Sequence, residues 1–155
     1  MDAALVHLAA LPALKHLDLR STSVGGEGVL HLAALPPLVS LHLPDGATLL
    51  YMAAEYDHVE VVRALVGAGT NLNQGNTDGA TPLFIAAEKG NAEVVRALLG
   101  AGADLNQANT DEATPLYVAA ESGKVEVVRA LVEAGADLNL ATKNGRWAHG
   151  VVQSC

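Results

Sequence analysis

Six histidines, seventeen acidic residues, fifteen glycines and one cysteine are the residues of this 155-residue chain from which a chemical site could be built. His7, His16, His31, His42, His58 and His149 form no i, i+4 pair around a glutamate and have no cysteine companions, so their spacing predicts no zinc site. His7 and His31 hold equivalent places in a repeat and read as helix-surface residues. The glycine-rich stretches GAGTNLN (67–73) and GAGADLN (100–106) follow helical patterns rather than strands, and they lack the Lys-Ser/Thr that completes a phosphate loop. They are read as helix stops. No serine, histidine and acid stand in a recognisable nucleophile elbow, and carboxylates that recur at one fixed spacing mark architecture rather than an acid/base pair. The reading is of a non-enzyme: no catalytic residue, no cofactor, no metal.

The single cysteine, Cys155, is the last residue, so no disulfide can form within the chain and no thiolate metal site can form. That usage fits a reducing compartment. Pro12, Lys15 and His16 interrupt the leucine-rich opening long before membrane-spanning length, and no charged n-region precedes it. The expectation is a soluble, intracellular protein, with the cytoplasm first and the nucleus still open. Net charge is −8, with the acid concentrated in residues 45–143, and none of the nine Lys and Arg residues forms a run. Such a surface repels phosphate, so nucleic acid is not an expected partner, and neither is a membrane or a small-molecule substrate. A monomer that meets another protein with a basic surface fits better.

Apolar residues make up 50 % of the chain, enough for a continuous core, while aromatics are only 3 %. Ala, Leu, Val and Gly at that frequency suit close-packed helices better than a sandwich or barrel.

One internal repeat organises most of the chain. Residues 45–77 recur as 78–110 and again as 111–143, each adjacent pair matching at 22 of 33 positions. Within a unit, Thr81-Pro82 reads as a helix start, because the threonine oxygen can accept from orphan amides and proline needs no donor there. Leu83, Ile85, Ala86 and Ala87 form a short first helix, which Gly90 ends in a left-handed conformation. A second helix is predicted from Ala92 to Gly100, with Val94, Val95, Leu98 and Leu99 in one apolar stripe and Gly102 as its stop. An extended loop, Ala103 to Asn109, leads into the next turn. A unit apolar on both sides cannot bury them alone, so neighbours must stack into an elongated array. The Ala-Ala pairs at 53–54, 86–87 and 119–120 allow close helix approach.

The strings TPLFIAA, TPLYVAA, EVVRALL and GADLN closely resemble the ankyrin repeat over residues 45–143. The resemblance implies a mainly α fold, a helical solenoid of three units (45–77, 78–110, 111–143). This sequence departs from the family's pattern at several places. Tyr51, Phe84 and Tyr117 stand where the family places a histidine that ties the turn. Leu49 replaces the helix-starting proline of the first unit, Asp57 replaces a turn glycine, and Glu112 replaces the fingertip glycine of the third unit. These turns are expected to be less rigid than the family's.

Residues 1–44 carry a second, shorter period. Offsetting the segment lays residues 5–19 over 29–43, and Leu14, Leu17 and Leu19, with Leu38, Leu41 and Leu43, resemble the strand signature of a leucine-rich repeat. Two such turns would act as an α/β N-terminal cap on the array. The rival reading makes residues 2–11 and 26–35 plain amphipathic helices over an apolar end. Residues 144–155 begin a fourth period and abandon it at Arg146-Trp147-Ala148-His149. The tail is read as a makeshift cap, with Trp147, Val151 and Val152 folding back, or as the edge of a fragment.

Two sets of charges recur from unit to unit. Glu60/Arg63, Glu93/Arg96 and Glu126/Arg129, each at i, i+3, read as solvated pairs that give about 0.2–0.5 kcal/mol of helix support. Glu55, Glu88 and Glu121 put one carboxylate per unit in a line. In the ankyrin family this position, its next neighbour and the fingertip loop line a concave face that contacts partners. The resemblance therefore implies a protein-binding set: Asp45, Ala47, Glu55 and Tyr56; Thr77, Asp78, Ala80, Glu88 and Lys89; Thr110, Asp111, Ala113, Glu121 and Ser122; and Lys143, Asn144 and Arg146. Tyr56 is the candidate anchor. The function so implied is a scaffold or adaptor that binds a partner protein through this face. The alternative is the recognition arm of a larger enzyme or signalling protein with catalysis elsewhere.

Overall fold

The computed structural model describes residues 16–20, 23–34, 40–140 and 142–146. Among these, two short strands and seven helices follow one another: β1 (His16–Asp18), α1 (Gly26–Ala33), β2 (Ser40–His42), a 3-10 turn (Pro44–Gly46), α2 (Leu49–Glu55), α3 (Val59–Gly67), α4 (Pro82–Lys89), α5 (Ala92–Gly100), α6 (Pro115–Glu121) and α7 (Val125–Glu133). The chain is mainly helical, and the three units of the sequence become three helix pairs: α2–α3, α4–α5 and α6–α7.

Each first helix starts on a threonine. The Thr48, Thr81 and Thr114 hydroxyls accept hydrogen bonds from the backbone N–H groups of Tyr51 (3.0 Å), Phe84 (3.1 Å) and Tyr117 (3.2 Å). These bonds satisfy amides that the first helical turn would otherwise leave unpaired. The turn is thus tied by threonine itself, and the cap persists in the first unit, where Leu49 replaces proline. Gly90 closes α4 at φ +84°, a region open to glycine without steric cost. Asp57 and Glu112, which stand where the sequence pattern calls for glycine, adopt the same left-handed backbone at +59° and +61°. Those turns keep their shape despite the side chains.

First helices pack against first helices, α2 on α4 and α4 on α6, and second helices form a parallel row, α3 on α5 and α5 on α7. The alanine pairs sit at the centre of the first row: Ala53, Ala54, Ala86, Ala87 and Ala119 are fully buried and Ala120 is nearly so. A larger side chain there would push the helices apart. Val62 of α3, Val94, Val95 and Leu98 of α5, and Val127, Val128 and Leu131 of α7 supply the second layer of the same continuous core.

The loops are stitched from unit to unit as well. Thr77 N donates to Asp45 O (3.0 Å), Thr110 N to Asp78 O (2.9 Å) and Lys143 N to Asp111 O (3.1 Å), so each fingertip hangs on its predecessor. Inside two fingers an asparagine oxygen holds the bend. Asn76 Oδ1 accepts from Asp78 N and Ala80 N, and Asn109 Oδ1 accepts from Asp111 N and Ala113 N. Asn91 reaches back across the stack, its Nδ2 donating to Ala54 O (2.8 Å) and Glu55 O (3.1 Å), carbonyls at the end of α2.

At the N-terminal side, β1 and β2 pair in parallel with Leu17 opposite Leu41, the same offset that lays 5–19 over 29–43 in the sequence. α1 lies between them in the chain and packs on α2. Leu19 and Leu43 are buried, as are Val24, Val29 and Leu32. Leu14, Leu38, the proposed helix over 2–11 and the proposed fold-back of Trp147, Val151 and Val152 lie outside the described residues. The described part of the 26–35 segment is the helix α1. Among the described residues, no helix is long and apolar enough to cross a membrane.

Candidate functional site

The ends of the first helices and the fingertips share one face, because stacking in register carries every residue of one unit onto its equivalent in the next. Asp45, Thr77, Asp78, Thr110, Asp111, Lys143 and Asn144 are exposed along the fingertips. Glu55 and Glu88 are half-buried at the ends of α2 and α4, and Glu121 is exposed at the end of α6. Lys89, Ser122 and Arg146 are exposed beside them, and Ala47 is half-buried. Ala80 and Ala113 do not belong with this accessible set: they are 5 % and 8 % exposed, because the Asn76 and Asn109 bends turn those methyl groups into the core.

Tyr56 is exposed and also engaged. It is exposed at 39 %, yet its hydroxyl donates to Val24 O (3.1 Å) and its ring stands 6.4 Å from that of His58. His58 Nε2 in turn lies 2.7 Å from Gly26 O. Both side chains therefore join the first unit to the segment before it. Tyr56 thus walls the face while its hydroxyl is tied to the preceding segment.

The carboxylate line is not uniform either. Lys89 Nζ lies 4.0 Å from Glu55 Oε1, and Arg146 Nη1 lies 2.8 Å from Glu121 Oε1. Tyr117 also donates its hydroxyl to Glu121 Oε1 (3.2 Å). Two of the three glutamates thus carry a cation from the neighbouring element, and at these exposures such pairs are weak and screened by salt.

Hollows open on this face at equivalent places in the first and third units. The first, about 380 Å³, is lined by Asp45, Tyr51, Met52, Glu55, Tyr56 and Asn76, with Ala47 beneath and Ser23 and Val24 at its N-terminal edge. The second, about 350 Å³, is lined by Asp111, Tyr117, Val118, Glu121, Thr142 and Arg146, with Phe84, Asn109, Ala113 and Asn144 completing it. In the first, burial and then the charges of Glu55, Glu88, Asp78 and Asp45 push the Tyr51 phenol up to about 12. In the second, burial and Glu121 raise the Tyr117 phenol, and Arg146 opposes the rise.

On the exposed side of the second helices, Arg63 and Arg96 bond to Glu60 (2.8 Å) and Glu93 (2.6 Å) of their own helices. They also reach forward: Arg96 pairs with Glu126 of the next unit, and Arg63 lies 4.0 Å from Glu93. The i, i+3 reading described only half of these contacts.

Tyr51, Tyr117, Asn76 and Asn109 are the site-building residues that the sequence analysis did not single out as such. Asn76 and Asn109 hold the same place in successive units, just before each Thr-Asp fingertip, and that recurrence is the signal that marks them.

A family model for ankyrin repeats (three copies) matches residues 3–109 and 50–142. The first match runs through the opening segment as well as the repeats. Among curated proteins no match to the chain is found.

Proposed function

The chain belongs to the ankyrin repeat family, whose members are generally protein–protein interaction modules, and from that premise we propose a non-enzymatic scaffold or adaptor. It binds a partner protein through the concave face and the fingertips that line it. The observation that carries this reading is the unit-to-unit stitching of the fingertips by Thr77, Thr110 and Lys143 N–H groups, with the helix ends held behind them by a fully packed alanine row. A surface held that firmly in advance loses little freedom on binding. Its acidic bias favours a partner with a basic patch, which the field would steer toward the groove. The compartment we infer is intracellular, the cytoplasm before the nucleus.

The opening segment fits two leucine-rich-repeat-like turns that cover the first unit. The parallel pairing of β1 and β2, in the register of the sequence offset, supports that reading. In functional terms the segment supplies the wall made by Ser23 and Val24.

The test is affinity capture from native lysate followed by mass spectrometry. Wild-type protein is compared with a Glu55→Lys, Glu88→Lys, Glu121→Lys triple variant whose helical spectrum is first shown to be unchanged. Loss of a shared set of captured proteins is expected. Equal recovery of the same proteins by both chains would remove the concave face from the account.

A further inference from the structure

The repeat has produced two copies of one hollow, and among the described residues only one of them is filled by a side chain of the chain itself. In the third unit, Arg146 lays its guanidinium 5.7 Å from the centre of the Tyr117 ring while its Nη1 bonds to Glu121 at 2.8 Å. Ring face and carboxylate together make a receptor for a planar cation, the ring by its quadrupole and the carboxylate by charge-assisted hydrogen bonding. Tyr117 under this cover is only 5 % exposed.

In the first unit the same two groups stand at the same places: Tyr51 is the equivalent of Tyr117, and Glu55 of Glu121. The equivalent of Arg146 is Ala80, whose methyl group is turned into the core. Among the described residues, none that lines the first hollow is cationic, and Tyr51 stays half-buried rather than covered. The second unit does not repeat the arrangement, since Phe84 holds the ring position. Asp45 and the Tyr56 ring add a second carboxylate and a second aromatic wall to the first hollow.

We propose that the first hollow, between Tyr51, Glu55 and Asp45, takes up an arginine side chain of the partner protein in the pose that Arg146 adopts over Tyr117 and Glu121. This deepens the concave-face reading and rests on it. Arginine is favoured over lysine because its flat guanidinium can stack on the ring and still present a fork of donors to the carboxylate, whereas an ammonium is a compact, strongly hydrated point charge. Lys89, 4.0 Å from Glu55, is the internal competitor that the incoming arginine displaces. The Tyr51 phenol is raised by burial first and then by four nearby carboxylates, and that second cause places the ring in a field attractive to a cation.

The probe is the blocked tripeptide acetyl-Gly-Arg-Gly-amide, titrated into 15N-labelled full chain and read from amide chemical shifts. Saturable shifts confined to Tyr51, Glu55, Tyr56 and their neighbours are expected, with Glu55→Gln weakening the affinity by about fivefold. The lysine tripeptide should bind at least about threefold more weakly, and the neutral citrulline tripeptide should give no saturable shift. An Arg146→Ala chain should gain a second set of shifts at Tyr117 and Glu121, because the template hollow is then vacated. Equal shifts with the lysine peptide, an unchanged affinity in Glu55→Gln, or shifts spread evenly over the Asp78 and Asp111 fingertips would overturn the proposal. So would an Arg146→Ala chain that takes up the peptide at Tyr117 while Tyr51 stays silent. Protein capture that is lost in the triple glutamate variant but kept in Glu55→Gln would sink the arginine pocket alone and leave the concave-face reading standing.

Discussion

Glu112 should make the protein less stable than a glycine would. Its φ is +61°, and the same place in the other fingers is held by Gly46 at +65°, Gly79 at +74° and Gly145 at +69°. A side chain in this left-handed region costs about 1–2 kcal/mol, because the Cβ crowds the backbone. Glycine removes that crowding but brings about 0.5–1 kcal/mol of extra freedom to the unfolded chain. The difference leaves Glu112→Gly more stable by about 0.5–1 kcal/mol, or roughly 1–4 °C in melting midpoint for a chain of this size. Because the substitution also removes a negative charge from a protein of net charge −8, Glu112→Gln is the control. It keeps the backbone strain, removes the charge and should shift stability by less than about 0.5 kcal/mol. The converse change, Gly79→Ala, imports the strain and sets its Cβ 3.3 Å from Thr110 N, so it should cost about 1–2 kcal/mol. Thermal melts by far-ultraviolet circular dichroism, with urea midpoints beside them, measure all three. If Glu112→Gly gains no more than Glu112→Gln, the gain belongs to charge, and the backbone argument for the fingertip is wrong. Asp57→Gly should gain less than Glu112→Gly, since aspartate tolerates the left-handed region better.

Asn91→Ala should cost about 1–2 kcal/mol in a urea melt, since it removes the donor shared by the Ala54 and Glu55 carbonyls; a loss below about 0.3 kcal/mol would show that water replaces it without penalty. Tyr51 makes stability fall in alkali. Its folded phenol is raised to about 12 from an ordinary value of 10, so the folded chain holds a proton that the unfolded chain releases. The contribution is fully present below pH 10 and is lost as pH rises through about 12. Tyr51→Phe should flatten that part of the stability curve, and absorbance at the tyrosinate wavelength should show one fewer late-titrating phenol. An unchanged alkaline slope would argue against the burial and carboxylate field around Tyr51.

What the sequence made legible was whatever a single unit decides for itself. Thr81-Pro82, the alanine pair, Gly90 and the stripe from Val94 to Leu99 are local signals, and the predicted span Ala92–Gly100 is the span of α5. The offset of the opening segment likewise reappears as the register of β1 on β2. Contacts between units were harder to read. Asn91 caps the helix of the preceding unit, yet its equivalents are His58 and Lys124, so periodicity hides the role even though His58 makes a comparable bridge to Gly26. Arg96 appears in sequence only as the partner of Glu93, because its bond to Glu126 joins two units and exists only after stacking. The family resemblance places Ala80 and Ala113 on the accessible face; the Asn76 and Asn109 bends that bury them become visible only in three dimensions.

The three glutamates show how this bears on recognition. In sequence they are one acidic line, and a line of equal charges would attract basic proteins with little preference for register. In the folded chain each has a different setting. Glu121 is held by Arg146 and Tyr117, Glu55 faces an open hollow with Lys89 at its rim, and the Glu88 side chain makes no hydrogen bond or ion pair among the described residues. Exposed charges of this kind contribute little affinity through simple attraction. Their value lies in where they differ, because an incoming cation meets an occupied position, a walled one and a bare one along a single rigid strip. A strip with three unlike places fixes the register of a partner, which a uniform line cannot do. Charge reversal at Glu55 should therefore disturb binding more than the same reversal at Glu121, although the net charge changes equally.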